Sequence, residues 1–331
     1  MAERIVLAGA SGFIGSYLAD AFRAEGAEVV FIGRSGADAS WGDTARITEL
    51  LDGSALLINM AGKSVDCRYT EANRAEIIRS RTATTTELAR ALRDCAAPPP
   101  LWVNASTATI YRHAEDRPMT DETGEIGTGF SVEVAKAWEA ALFAEPLPAT
   151  RRVALRMAIV LGDGSALAPL IRLAQFGLGG AQLDGHWPIS AARRRAGTGH
   201  AFRARGGRQR FSWIHIADVL GVIRFLRDRP DLDGTINASS PNPVDSRTLM
   251  AALRRVLGMP IGIPTPRWVL EIGAFAIRTE TELILKSRWV VPTRLQEAGY
   301  RFAYPEIEPA LRQIVEDRRA ARKRAKAALT D

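Results

Sequence analysis

Three glycines near the start of the chain have the spacing of a turn that binds a dinucleotide pyrophosphate. Gly9, Gly12 and Gly15 lie in the stretch GASGFIG, directly after an apolar run and at the beginning of a helical pattern. Glycine allows a tight strand-to-helix turn and lets phosphate oxygens approach bare backbone amides, while the amino end of the helix attracts negative charge. We therefore predict a dinucleotide-binding site at this turn.

The residues after the second apolar run indicate which dinucleotide is bound. An acidic side chain there would bind the adenosine ribose hydroxyls of NAD, but this sequence has Arg34 and Ser35. A guanidinium pairs with a phosphate through two hydrogen bonds, so these residues favour the 2′-phosphate of NADP. The alternative is that Arg34 is an ordinary solvated base. We predict that NADP(H) binds at least about tenfold more tightly than NAD(H).

Nearly continuous apolar runs alternate with amphipathic stretches in the first half of the chain. Such runs are typical of strands that helices cover on both faces, and the alternation implies a parallel sheet with right-handed crossovers. The predicted fold class is α/β, a Rossmann-type doubly wound parallel sheet. The predicted strands are RIVLAGA (4–10), EVVFIGR (28–34), ALLINMAG (55–62), LWVNAST (101–107) and RRVALRMAIVLG (151–162), and the helices between them are 13–25, 71–94 and 131–143.

The second half of the chain predicts a smaller, mostly helical substrate lobe. RFSWIHI and GTINASS are predicted strands, and the predicted helices are 164–177, 217–228, 245–257, 266–277 and 306–324. We assign 1–165 plus 211–240 to the NADP-binding Rossmann domain, 166–210 plus 241–316 to the substrate lobe, and 317–331 to a basic tail. Within the lobe, 182–210 has no clear period and is interpreted as a mobile surface loop rich in arginine.

The net charge of +7 is confined to two segments. Residues 182–210 carry +6 and residues 317–331 carry +4, so the remaining chain carries −3. Nucleic-acid binding therefore ranks last among the functions considered. The apolar runs are far shorter than the roughly 20 residues that span a bilayer, so we expect no membrane span and a cytoplasmic location. Two cysteines and four histidines, all scattered, predict neither a disulfide framework nor a metal site. A homodimer is compatible with the sequence.

The order of the motifs resembles that of extended short-chain dehydrogenase/reductases. More narrowly, the chain resembles the atypical, epimerase-like branch that ends in a small C-terminal domain of undefined function, sometimes called sugar nucleotide epimerase-like. The resemblance covers nearly all of residues 4–314. The stretches that carry it are GASGFIG, NMAG (59–62), IIRSRTATTTEL (77–88), ASTATIY (105–111), AKAWEAAL (135–142), LRMAIVLG (155–162), FGLGG (176–180), SWIHIADV (212–219) and EAGYRFAYPEIEPAL (297–311).

The resemblance implies a cofactor site that is built from strand ends. The residues implied to hold the pyrophosphate are Gly9, Ser11, Gly12, Phe13, Ile14 and Gly15, and those implied to hold the 2′-phosphate are Arg34 and Ser35. The residues implied to line the sugar and nicotinamide are Met60, Ala61, Gly62, Ala105 and Ser106.

Working enzymes of the wider family use a serine or threonine, a tyrosine and a lysine together, because a nearby cation lowers the tyrosine pKa from about 10. In GFSVEVAKAWE, two registers are open. If Lys136 is the family lysine, Val132 takes the tyrosine position. If Glu139 marks the register, Ala135 and Ser131 take the lysine and tyrosine positions, and we favour this register. Neither register supplies a tyrosine.

The catalytic candidates are therefore Thr107 as the hydroxyl member, Tyr111 as a substitute acid and Ser131 as a group that orients the substrate oxygen. Lys136 is interpreted as a solvated helix residue. Arg79 and Arg81 lie on the helix after the third predicted strand, and one that faces the cleft could bind an anionic substrate.

Two functions remain open. The first is an NADP(H)-dependent oxidoreductase or epimerase that acts on an unidentified small carbonyl or sugar-like substrate without the standard tyrosine-lysine pair. The alternative is a catalytically inactive NADP(H)-binding sensor or regulatory protein.

Overall fold

The computed structural model describes residues 2–164, 167–202, 204–276 and 280–327. The residues outside these ranges are Met1, 165–166, Arg203, 277–279 and 328–331, so parts of the predicted Rossmann domain, lobe and tail lie outside the described residues. The chain divides into two compact units. The first unit comprises Met1–Ile110, Ile126–Met157 and Leu220–Asn237, and the second comprises Tyr111–Glu125, Ala158–Val219 and Ala238–Asp331.

The first unit is built on a seven-stranded sheet. Its strands are β1 (Arg4–Ala8), β2 (Glu28–Gly33), β3 (Ala39–Ser40), β4 (Leu56–Asn59), β5 (Leu101–Thr107), β6 (Arg151–Met157) and β10 (Gly234–Ala238). They lie in the order β10-β6-β5-β4-β1-β2-β3. The pairings from β6 through to β3 are all parallel, and the order changes direction between β1 and β4, which is the switch point where Rossmann folds bind dinucleotides. This confirms the predicted fold class.

Helices cover the sheet, and this burial explains the continuous apolar runs. The residues of β4 are all buried, and those of β1 are buried from Ile5 onwards. On one face, α2 and α3 pack Ile47, Leu51 and Leu88 against β1, β4 and β5. The helices of this unit are α1 (Phe13–Ala24), α2 (Thr44–Leu51), α3 (Glu71–Asp94) and α4 (Phe130–Phe143), joined by most of α7 (Ile216–Asp228).

The second unit is mostly helical, with two small sheets. Its strands are β7 (Ile159–Leu161), β8 (Arg210–Phe211), β9 (Trp213–His215) and β11 (Val244–Asp245). Its helices are α5 (Leu167–Gln175), α6 (Ala191–Arg195), α8 (Ser246–Leu257), α9 (Arg267–Ala276), α10 (Glu282–Leu285), α11 (Thr293–Glu297) and α12 (Ile307–Ala327). Apolar residues of α5, α8 and α12 form its core, among them Leu170, Leu253 and Leu311.

Three details of the structure differ from the sequence prediction. The run 151–162 is two strands, because the Ala158 amide donates to the Ala238 carbonyl and β7 then pairs with β9 in another sheet. Residues 111–125 belong to the second unit, which therefore takes up more of the chain than predicted. The segment 182–210 is not simply a surface loop, because it contains α6 and buries Gln182, His200 and Gln209.

No helix among the described residues combines the length and the apolar character needed to cross a bilayer.

Candidate functional site

The glycine turn between β1 and α1 is fixed by backbone packing at two of its three glycines. Gly9 has a φ of 85°, and a Cβ atom there would lie 2.6 Å from the carbonyl carbon of Met60. A Cβ on Gly15 would lie 2.2 Å from the Gly9 carbonyl oxygen. Gly12 is different, because its nearest neighbour would be the Gly9 oxygen at 3.6 Å. The protein itself therefore leaves room above Gly12, where a ligand phosphate would approach the backbone.

The amino end of α1 is prepared for negative charge. Gly12 is the N-cap residue and supplies no side-chain acceptor, and the first turn of the helix contains no acidic residue. Ser11 and Gly12 are exposed, while Phe13 and Ile14 are half-buried. Uncapped amides and the helix dipole together favour an anion at this end. The residues present thus fit the pyrophosphate of a dinucleotide.

The loop after β2 presents a free cation. Arg34 and Ser35 are both exposed, and within the described parts of the chain no carboxylate pairs with Arg34. The nearby carboxylate of Asp38 is occupied, because it accepts the Phe31 amide at 2.7 Å. An exposed guanidinium beside a serine hydroxyl suits a phosphate ester better than a ribose diol.

A buried amide network shapes the end of β4. The Asn59 side chain donates to Asn104 Oδ1 at 2.7 Å and to Thr85 Oγ1 at 3.3 Å, and its oxygen accepts the Ala61 amide at 3.0 Å. Trp138 Nε1 donates to the same threonine hydroxyl at 3.2 Å. The network holds the backbone of the Met60–Gly62 turn, which lies against Gly9. Sequence reasoning missed these residues, although an amide inside an apolar run is a usable signal.

Helix α3 holds the next part of the same loop. The Lys63 amide donates to Ser80 Oγ at 2.9 Å, and Arg81 Nη1 donates to the Lys63 carbonyl at 2.9 Å and to the Ile77 carbonyl at 3.1 Å. Burial lowers the pKa of Arg81 to about 10, against smaller opposing effects of Tyr69 and Cys67. Arg81 therefore remains charged at neutral pH while being largely removed from water.

A buried ion pair lies behind the end of β5. Glu139 of α4 accepts the Ser106 hydroxyl at 2.6 Å and two hydrogen bonds from Arg156 of β6, at 2.8 and 2.7 Å. The side chains of Glu139 and Arg156 are each only 11% exposed. The Ser106 hydroxyl thus donates its hydrogen bond within the protein, to Glu139, and is oriented toward α4. Sequence reasoning used Glu139 only to align the helix and did not predict this pair.

The predicted catalytic residues have different surroundings. Thr107 is half-buried and its Oγ1 accepts the Thr109 amide at 3.1 Å. In the second unit, Tyr111 is 1% exposed, and its ring leaves no room for a Cβ on Gly124. In α4, Ser131 is half-buried near the amino end.

Neither register of α4 places an acid–base pair at the predicted positions. Val132 is fully buried, and Lys136 is exposed and bonded to Glu133 at 3.2 Å. Lys136 is therefore a solvated helix residue, as predicted.

The second unit contains a separate cluster of buried polar side chains around His200. Thr281 donates to Glu271 at 2.8 Å, so His200 Nε2 must carry the proton that it shares with Thr281 Oγ1 at 3.0 Å. Glu271 also accepts from Arg267, which donates to Asp184 at 2.6 Å. Burial, followed by the charges of nearby arginines, lowers the pKa of His200 to about 3. His200 is therefore neutral in the folded protein.

The chain is similar to known proteins over nearly its whole length. The model of the NAD dependent epimerase/dehydratase family matches residues 5–137, and that of a domain of unknown function, DUF1731, matches residues 265–314. The epimerase family protein SDR39U1 of Bos taurus is 32% identical over 323 residues, covering 94% of this chain and 99% of that protein. YfhF of Bacillus subtilis, also an epimerase family protein, is 27% identical over 326 residues, covering 95% and 99%.

A solved structure of this kind is also similar. The crystal structure of human epimerase family protein SDR39U1 (isoform 2) with NADPH superposes with a TM-score of 0.79 at 25% identity, covering 95% of this chain and 99% of that one. These findings confirm the resemblance that the motifs predicted.

Proposed function

The chain belongs to the NAD-dependent epimerase/dehydratase family, and on that premise we propose that it is an NADP(H)-dependent oxidoreductase or epimerase for a small carbonyl or sugar-like substrate. The observation that carries the proposal is the glycine turn, where Gly12 alone has open space above an uncapped helix end. The unpaired, exposed Arg34 supports the phosphorylated cofactor, as does the likeness to human SDR39U1 with NADPH.

Bound NADP(H) would supply the hydride donor or acceptor at the end of β5. The chain's own contribution is to orient the substrate oxygen. Ser106 is committed to Glu139, whereas the Thr107 hydroxyl accepts one hydrogen bond and donates to no acceptor among the described residues. Thr107 can therefore donate a hydrogen bond to a substrate oxygen and so orient it. The Glu139–Arg156 pair keeps Ser106 turned away and so leaves this role to Thr107.

A second candidate function follows from α4. A buried valine and an exposed, ion-paired lysine cannot form the tyrosine-lysine relay of working relatives, and Ser131 is too weak an acid to replace it alone. A protein that binds NADP(H) and responds to it without turnover fits this observation. The two functions share the cofactor site and differ in turnover.

Cofactor choice is tested by titrating the protein with NADPH and with NADH and following cofactor fluorescence. We expect NADPH to bind at least about tenfold more tightly, because Arg34 pairs with the 2′-phosphate. Arg34→Leu should remove this preference while leaving NADH affinity unchanged. Equal affinities in the wild-type protein would overturn the assignment of NADP(H).

Turnover is tested with NADPH-saturated protein and a panel of aldehydes, ketones and keto sugars. If the chain is an enzyme, Thr107→Ala should lower kcat/KM by about 100-fold and Thr107→Ser should restore much of it, because loss of one hydrogen-bond donor to a developing oxyanion typically costs 10²–10³ in rate. Tight NADPH binding with no oxidation of any panel member would support the sensor function instead.

A further inference from the structure

Among the described residues, hydrogen bonds hold Arg81 through one of its nitrogens, Nη1. Its Nη1 donates to the carbonyls of Lys63 and Ile77, and its guanidinium carbon lies 4.9 Å from the centre of the Trp138 ring. On Gly62 a Cβ atom would lie only 3.0 Å from that same carbon. The guanidinium is thus held between an aromatic ring and a bare stretch of backbone, in a fixed orientation.

The other edge of the guanidinium, formed by Nε and Nη2, has a different environment from Nη1. Within the described residues, Nε and Nη2 of Arg81 donate to no atom, and no carboxylate pairs with this side chain. Its neighbour Arg79 is the opposite case, because it is 70% exposed and makes two hydrogen bonds to Glu76. A largely buried charge without a counter-ion is costly, so an unpaired Arg81 is unusual among arginines.

The two hydrogen bonds to the Lys63 and Ile77 carbonyls do not explain why position 81 is an arginine. A single donor nitrogen satisfies both carbonyls, and a lysine ammonium has enough protons to do the same. Nε–H and Nη2–H, in contrast, form the side-on edge that matches the two oxygens of a carboxylate or phosphate. A Cβ atom on Gly62 would lie 3.3 Å from Nε, so this edge begins beside the Met60–Gly62 turn, which contacts Gly9 of the cofactor turn.

We propose that the Nε–Nη2 edge of Arg81 binds an oxyanion group, a carboxylate or phosphate, of the substrate. That the ligand is a substrate rests on the proposed function, whereas the oxyanion site itself does not. The substrate is then a small carbonyl or sugar-like compound that carries one acidic group. Thr107 would contact its reacting oxygen and Arg81 its charged end.

The proposal is tested on protein saturated with NADP⁺ by calorimetric titration with oxalate and with inorganic phosphate at constant ionic strength. We expect both anions to bind in the wild-type protein and to compete with each other. Arg81→Lys keeps the charge but loses the two-point geometry, so anion affinity should fall at least about tenfold. Arg79→Lys, on the same helix, is the matched control and should bind as the wild type does.

Two further measurements separate the sources of the anion and the effects on folding. Arg81→Lys should leave NADP⁺ affinity unchanged, and an equal loss of NADP⁺ affinity would assign the edge to a cofactor phosphate and overturn the proposal. In the wild-type protein, oxalate should slow phenylglyoxal modification of Arg81 but not of Arg79, as measured by mass spectrometry.

Intact NADP⁺ binding without anion binding or protection would refute the oxyanion site and leave the proposed function standing. Anion binding and protection without NADP⁺ binding would refute the proposed function and leave the oxyanion site standing.

Discussion

At the scale of single residues, the three glycines of the first turn are required for different reasons. Gly9 has a positive φ and lies against the Met60 backbone, and Gly15 lies against Gly9, so both are needed by the fold. A Cβ atom added to Gly12 would meet nothing closer than 3.6 Å. The fold itself therefore does not require glycine at position 12, and the open space fits the approach of a ligand phosphate.

Gly9→Ala and Gly12→Ala should therefore fail in different ways. Gly9→Ala should lower the free energy of unfolding by more than about 2 kcal/mol, because a side chain at positive φ would also clash with backbone. The free energy of unfolding of Gly12→Ala should lie within about 0.5 kcal/mol of the wild-type value, but this variant should bind NADPH at least about tenfold more weakly. Urea denaturation and fluorescence titration measure the two quantities. Unchanged NADPH affinity in Gly12→Ala would contradict this account of the turn.

Residue types near the cofactor could be predicted from the sequence, but their partners could not. Glycine spacing and the basic residue after β2 are local signals. The acceptor of Ser106 is Glu139, which is 33 residues away, and only the packing of α4 on the sheet brings them together. Likewise, the sequence left Arg79 and Arg81 as equal candidates, and the structure distinguishes them by the direction in which each points.

At the scale of elements, parallel pairing brings Asn59 beside Asn104, and α3 adds Thr85. Asn59→Leu should lower the free energy of unfolding by about 2–3 kcal/mol, because buried partners lose their hydrogen bonds. The double variant with Asn104→Leu should cost less than the sum of the single changes, since both polar partners are then removed. Urea denaturation of the four proteins measures this coupling, and strict additivity would show that the network is not one unit.

Two helices show what hydrophobic periodicity predicts and what it does not. The bounds of α3 match the prediction because Thr70 caps its first turn. Helix α9 was also predicted, but its charged residues Arg267 and Glu271 are buried while Trp268 and Ile272 are exposed. An amphipathic pattern predicts the reverse orientation. The difference arises because Arg267 pairs with Asp184, 83 residues away, and no local pattern contains that partner.

At the scale of the whole molecule, the basic segments are not uniformly available to outside partners. Within 182–210, Arg193 bonds to Glu280, and Arg210 lies over the Trp289 ring. These arginines are occupied within the second unit, so the +6 charge of the segment overstates its exposed charge. The cluster of buried polar side chains around His200, in the same unit, makes the stability of the protein depend on pH.

His200 should make the protein less stable in mild acid. Its pKa is about 3 when folded and 6.5 when unfolded, so protons bind the unfolded chain more readily between these values. The full stability contribution is present above about pH 6.5 and is lost as pH falls toward 3, by about 1.4 kcal/mol per pH unit. His200→Gln keeps a donor for Thr281 and cannot titrate. Between pH 6 and 4.5 it should therefore reduce the slope of unfolding free energy against pH by the amount that corresponds to about one proton taken up on unfolding.

Urea denaturation of the wild type and of His200→Gln at several pH values measures that slope. The cause is the burial of His200 beside Arg193, Arg267 and Arg288, which all disfavour its protonation. If His200→Gln and the wild type lost stability in parallel on acidification, the acid sensitivity would have to come from other groups, and His200 would be accessible to protons in the folded state.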